Sequence, residues 1–250
     1  MPSAYDYYDY PAYWKGREYE HLSEVFALKK FLSRIPSLKT TLDIGAGFGR
    51  LTPYYCFRAK KTILSDPSAK HLGQARRKLK HKKNIEYLQA GIETVSEKIR
   101  PSSIDLVILI RVLHHIKDID LAFKTINKLL KKNGFLILEF ANKKHLKAVI
   151  SEFIKGNVTF PLDIFPKDLM EKRKKKFLPF KNFHPDIIVH KLLGHGFKII
   201  EKRSVSNIRS PILKRLFPLQ SLISLEEKLQ KPLSSINFGP SIFILAQKRI

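Results

Sequence analysis

Cysteine is nearly absent from this sequence: Cys56 is the only one in 250 residues. A single thiol excludes an internal disulfide framework and any thiolate metal cluster, and it fits a reducing compartment. Long apolar runs are missing too. The longest, such as Leu106 to Ile110, are a fraction of the roughly 20 residues that cross a bilayer, so no transmembrane segment is expected and membrane contact would be peripheral. The opening Met1-Pro-Ser-Ala-Tyr-Asp-Tyr-Tyr-Asp-Tyr10 has acids and aromatics where an export signal needs basic and then apolar residues. A cytoplasmic location is the expectation. No internal repeat is visible, and no metal site is expected. Acids are scarce, 22 against 47 Lys plus Arg, for a formal charge of +25. Hydrophobic residues at 44% and charged residues at 28% are ordinary globular values, which excludes disorder, collagen and coiled coil as descriptions of the whole chain.

The charge is uneven. Residues 1–24 carry two bases and five acids, residues 58–83 carry ten bases against Asp66 alone, and residues 143–181 carry eleven bases against four acids. Such runs attract phosphate, in nucleic acid or at an anionic membrane face. The simpler reading is solvated helix faces rich in lysine, so nucleic-acid contact is disfavoured.

Along the chain, short apolar runs alternate with segments of helical period, the pattern of a mostly parallel sheet with helices on both faces. Strands are expected at Thr40–Ile44, Thr62–Ser65, Ile85–Gln89, Ile104–Ile110, Phe135–Phe140, Phe197–Arg203 and Ser241–Lys248. An opening helix puts Leu22, Val25, Phe26 and Leu32 on one face. Further helices are expected after Gly49, at Ser68–Leu79, near Thr94–Lys98, from an Asp118 N-cap to Leu130, and from Pro185 to Gly194 or Gly196. Asn133-Gly134 reads as a turn. The expected organisation is one domain: an N-terminal lid and helix over 1–36, a cofactor-binding core over 37–142, a basic aromatic insertion over 143–184, and a last part over 185–250 that includes a helical cap between Val205 and Pro240.

The sharpest motif is Thr40-Thr-Leu-Asp-Ile-Gly-Ala-Gly-Phe-Gly-Arg50, an apolar strand running into glycines at alternate positions. Alternate glycines turn the backbone tightly and admit a ligand close to it. A dinucleotide cradle prefers Gly-x-Gly-x-x-Gly; here Gly45, Gly47 and Gly49 give Gly-x-Gly-x-Gly, with Asp43 two residues ahead of the first. That carboxylate would repel a pyrophosphate and suits a cationic ligand. A nicotinamide dehydrogenase is disfavoured accordingly.

Together with Leu64-Ser-Asp-Pro-Ser68, Arg111-Val-Leu-His-His-Ile-Lys-Asp118 and the run Leu129 to Phe140, this motif resembles the class I S-adenosylmethionine-dependent methyltransferases, in the small-molecule branch that includes ubiquinone and menaquinone methylases. The motifs cover about residues 38–142 in the family's order. The resemblance implies a Rossmann-like seven-stranded sheet whose last hairpin is antiparallel. It implies S-adenosylmethionine as cofactor, with Gly45, Ala46, Gly47 and Gly49 under its methionine part, Asp43 near its amino group and Asp66 on the ribose. Pro67 and the stretch Gln89 to Glu93, including Ile92, would border the adenine. Gly91 stands where the family often has an aspartate, so adenine recognition moves to Glu93 or to a backbone carbonyl.

Methyl transfer needs alignment and a deprotonated nucleophile more than dedicated machinery. His114 and His115, just past the fourth strand, are candidate bases, as is His184; each is equally a packing or capping residue. Arg111, at the strand's end, is counted among the cofactor-binding residues and also invites an anionic group on the acceptor, or else pairs with Glu139. The aromatic segment Tyr5 to Tyr19, with Tyr13 and Trp14, is expected as a lid, and Phe183 and His184 as faces toward the acceptor. The helices between Val205 and Pro240 would pack over the acceptor pocket, meet a second subunit or lie on a membrane. The leading function is methyl transfer to a small or lipid-like, anionic acceptor. The alternatives are an RNA methyltransferase using the basic surface and a non-catalytic cofactor-binding or assembly protein.

Overall fold

Unbroken aliphatic runs become parallel strands when both faces of a sheet are covered, and that is what these runs do. In the computed structural model, which describes residue 6, residues 9–168 and residues 180–249, β1 (Leu38–Ile44), β2 (Ala59–Asp66), β3 (Ile85–Gln89), β4 (Ile104–Leu109) and β5 (Leu130–Ala141) lie parallel in the order β3-β2-β1-β4-β5. β6 (Lys167–Asp168) and β7 (Lys181–Asn182) form a separate small ladder. β8 (Phe197–Val205) and β9 (Ser241–Lys248) complete the main sheet, with β9 inserted antiparallel between β5 and β8. The result is the seven-stranded, mostly parallel sheet expected.

Nine helices flank or join the strands among the described residues: α1 (Tyr10–Tyr13), α2 (Glu18–Leu32), α3 (Ala69–Lys78), α4 (Val95–Lys98), α5 (Ile119–Leu129), α6 (Leu146–Ile154), α7 (Pro185–Gly194), α8 (Pro211–Leu216) and α9 (Leu219–Leu229). Alternate strand residues divide the core. Leu42, Val107 and Leu109 meet α4, α5 and α7 on one face, while Leu64, Leu106 and Ile108 meet α2 and α3 on the other. Asp118 caps α5, its carboxylate accepting from the Leu121 amide at 3.0 Å. No helix of the described residues is long and apolar enough to cross a membrane.

Three local expectations need correction. No α-helix opens after Gly49; two short 3-10 turns, Thr52–Tyr54 and Cys56–Arg58, stand there. Tyr55, at φ −135° and ψ −24°, leaves helical dihedrals between them so that its ring enters the core. Secondly, β5 begins at Leu130, not Phe135, and Asn133-Gly134 forms an irregularity within the strand: Asn133 has φ +61°. Thirdly, the helices between Val205 and Pro240 do not cover the cavity described below. α9 lies on α2, where Leu222 packs with Tyr19 and Ile208. Its buried Glu226 accepts from the Tyr19 hydroxyl at 2.6 Å and from the Ser206 and Asn207 amides at 2.8 and 3.1 Å. These bonds tie the connection to α2 and to the chain just after β8.

Candidate functional site

At the carboxyl ends of β1, β2 and β4 lies a cavity of about 240 Å³, the place where open α/β sheets bind ligands. The glycine loop forms its floor. The amides of Gly45 and Ala46 both donate to the Ser65 carbonyl, at 2.7 and 3.0 Å, which pins the loop to β2. A Cβ on Gly45 would stand 2.3 Å from Val112 Cγ2, so the post-β4 segment packs where no side chain fits. Gly47, at φ +55°, would aim a Cβ into open space with nothing within 4 Å. This is a cradle that a side chain would fill. Gly49 does not belong to it: its Cβ would meet Leu79 at 2.8 Å, and it lines no part of the cavity. Expected as a cofactor contact, it is a packing glycine against the end of α3.

Two buried carboxylates face this floor. Asp43 accepts a short bond from the Tyr55 hydroxyl; burial, reinforced by Asp66 and opposed by that bond, raises its pKa to about 7. Asp66 accepts from the Gly47 amide through one oxygen and from the Ser68 amide through the other, both at 2.8 Å. Burial raises its pKa, and these amides oppose the rise. Pro67 and Ile92 border the cavity at this end. Glu93 comes forward as well, its Oε2 within 2.9 Å of where a Gly91 Cβ would be, so an acid reaches this end without an aspartate at residue 91.

The opposite end is built around a residue that the sequence did not single out. Glu24 of α2 is fully buried. One of its oxygens accepts from Arg111 Nε at 2.7 Å and the other pairs with the Arg50 guanidinium. Burial pushes the Glu24 pKa up, but Arg111 and Arg50 outweigh it and hold the carboxyl below its usual range. Glu139 takes the Arg111 backbone amide at 2.7 Å, with Arg111 in the left-handed region at φ +61°. The notion of an unpartnered Arg111 waiting for an anionic acceptor therefore loses its premise, and Glu139 is not its side-chain partner.

The N-terminal segment roofs the cavity. Both guanidiniums lie over the Trp14 ring, at 3.5 Å for Arg50 and 4.8 Å for Arg111 from its centre. Tyr10 stands edge-on to His71 at 5.2 Å, and Asp6 bonds to the Ser68 hydroxyl. Tyr10 and Trp14 line the cavity. Tyr13 does not; its ring packs under Arg17, 4.1 Å from the centre. Tyr5, Tyr7 and Tyr8 of the expected lid, and Phe177 of the basic aromatic insertion, lie outside the described residues.

The three histidines separate clearly. His115 lines the cavity. His114 sits buried behind it, 4.1 Å from the His115 ring and 4.3 Å from Phe180, with no hydrogen-bond partner at Nδ1 among the described residues. Burial, then His115 and Arg111, push its pKa well below the usual value. His184 is away from the cavity. It caps α7, with Nδ1 accepting from the Asp186 amide at 3.3 Å and Nε2–H donating to the Pro161 carbonyl at 3.1 Å. Both ring nitrogens are committed, which removes it as a base. Phe183 is likewise a core residue, fixed by backbone bonds to Ala141 and Lys143.

A protein family described as a methyltransferase domain matches residues 42–138. Among curated proteins, the ubiquinone biosynthesis O-methyltransferase of Pelagibacter ubique is 27% identical over 199 residues, 76% of this chain and 80% of that protein. Among solved structures, a methyltransferase from Listeria monocytogenes described as dependent on S-adenosylmethionine shares the fold at TM-score 0.66 and 22% identity, over 92% of this chain and 98% of that one. The N-methyltransferase NodS of Bradyrhizobium japonicum, solved with S-adenosyl-L-homocysteine, superposes at TM-score 0.56 and 14% identity, over 92% of this chain and 86% of that one.

Proposed function

Given that this chain is a class I S-adenosylmethionine-dependent methyltransferase, we propose that it methylates a hydroxyl of a small or lipid-like acceptor, with His115 as the base. The observation that carries this reading is the make-up of the cavity wall past β4. There Val112 and Ile116 are apolar, and His115 is the titratable side chain between them. The cofactor supplies an electrophilic methyl group on a sulfonium. The chain's residues do the rest. The Gly45–Gly47 floor and Asp66 suit the amino-acid and ribose parts, Asp43 suits an ammonium, and Trp14 with Tyr10 excludes water from above. His115 accepts the hydroxyl proton as the acceptor oxygen attacks. The likeness to an O-methyltransferase supports oxygen as the methylated atom. The RNA alternative finds less support: Arg50 and Arg111, the cations lining the cavity, are both taken up by Glu24.

Incubation with methyl-labelled cofactor decides between acceptor classes. Label should pass to hydroxylated aromatics, more readily to those bearing an isoprenoid tail, and not to bulk RNA. Transfer to RNA alone would overturn the reading.

Asp43 also sets the pH dependence of cofactor binding. Its carboxyl is half protonated near pH 7 in the free protein, and a nearby ammonium favours the ionised form. Affinity for S-adenosylhomocysteine, which keeps that ammonium, should therefore rise as pH rises toward 7. The limiting slope is about tenfold per pH unit, with a plateau above. Calorimetry in buffers of different ionisation enthalpy should register proton release on binding, and Asp43→Asn should flatten both signals. Wild-type affinity that is flat across this range would refute the assignment.

A further inference from the structure

Beyond β5 the surface is apolar and basic at once. α6 turns Leu146, Ile150, Phe153 and Ile154 outward, the last 81% exposed, and the chain after it adds Leu162 at 78% and Phe165 at 74%. Single exposed aliphatic residues are ordinary, but a cluster of this size marks a contact surface. Leu146, Ile150 and Ile154 wall a groove of about 490 Å³ whose ionisable lining residues are His145, Lys147, Lys155 and Arg209, with no acid among them. His145 registers the local potential: burial, then Arg209, Lys147 and Lys167, press its pKa down to about 4. Of the acids in this part of the chain, Glu152 pairs with Lys155 and Lys167, and Asp163 with Lys143. α8, which starts two positions after Arg209, exposes Ile212 and Leu216.

We propose that this face docks on a bilayer containing anionic lipid, with Ile150, Ile154 and their neighbours entering the acyl boundary while Lys147 and Arg209 lie at the phosphates. A peptide or second copy would cover the apolar residues without needing an acid-free rim, and an RNA would use the cations while leaving the aliphatic side chains wet. A bilayer surface uses both. α6 follows the carboxyl end of β5, and the cavity lies beyond the carboxyl ends of the parallel strands β1, β2 and β4, so both stand at the same end of the sheet. Docking there sets the reaction site near the membrane surface.

The test is co-sedimentation of the full chain with vesicles of phosphatidylcholine alone or mixed with phosphatidylglycerol. Binding is expected to the mixed vesicles only, and to fall as salt is raised. The double variant Ile150→Asp/Ile154→Asp, altered at exposed positions, should lower vesicle affinity at least tenfold, with melting temperature and S-adenosylhomocysteine affinity unchanged. Three outcomes would overturn the proposal: no sedimentation with the mixed vesicles, binding indifferent to the double variant, or a variant that only turns a dimer into a monomer. Normal binding of S-adenosylhomocysteine in any of these leaves the methyltransferase reading standing, so the two ideas fail separately.

Discussion

Glu24→Leu should cost about 3–5 kcal/mol of stability, because it leaves the Arg50 and Arg111 guanidiniums without the carboxylate they share in a buried site. For a chain of this size that is a fall in melting temperature of roughly 6–20 °C. The loss should reach cofactor binding in the proposed site, since both arginines line that cavity and both lie over Trp14. Adding Arg50→Met and Arg111→Met to Glu24→Leu should recover much of the stability, because an apolar trio has no unpaired charge to hide, but not the cofactor affinity. Thermal denaturation and calorimetry on the two variants read both quantities. A Glu24→Leu protein that melts like the wild type would show that the pairs are solvated in practice and contribute little.

His115→Gln should lower the turnover of a hydroxyl acceptor by about a hundredfold or more and leave S-adenosylhomocysteine affinity within a few-fold. His114→Phe is the contrasting change. His114 is buried against Phe180, and its Nδ1 has no partner among the described residues, so an apolar ring there should keep both fold and rate. Wild-type turnover in His115→Gln would move the base elsewhere, or show that the acceptor arrives already ionised.

The strands were legible because their aliphatic runs are covered on both faces, which leaves no other way to bury them; β3 and β9 match the expected bounds residue for residue. The Asp43–Gly47 floor and Asp66 were legible because backbone geometry demands glycine there and the acids follow at fixed spacing. Glu24 was not. Its neighbours on the buried side of α2 are Val25, Leu28 and Phe31, and helical periodicity assigns an acid in such a stripe to water. Only residues 26 and 87 positions away make its burial tenable, and no local pattern encodes them. His184 was ambiguous for a related reason, since an imidazole before Pro185 caps a helix or serves a pocket with the same sequence. The missing helix after Gly49 came down to Tyr55, whose hydroxyl is held by Asp43. The post-loop chain follows that ring inward.

The protein has one tryptophan, and its ring lies against both cavity guanidiniums. Every photon the indole emits therefore comes from the roof of the binding site. Excited at wavelengths where the nine tyrosines do not absorb, the chain is its own optical probe. Quenching by a small neutral solute measures how far the roof stands open, and the emission maximum follows how wet the two arginines are. No label, and no second tryptophan to subtract, stands between that signal and the site.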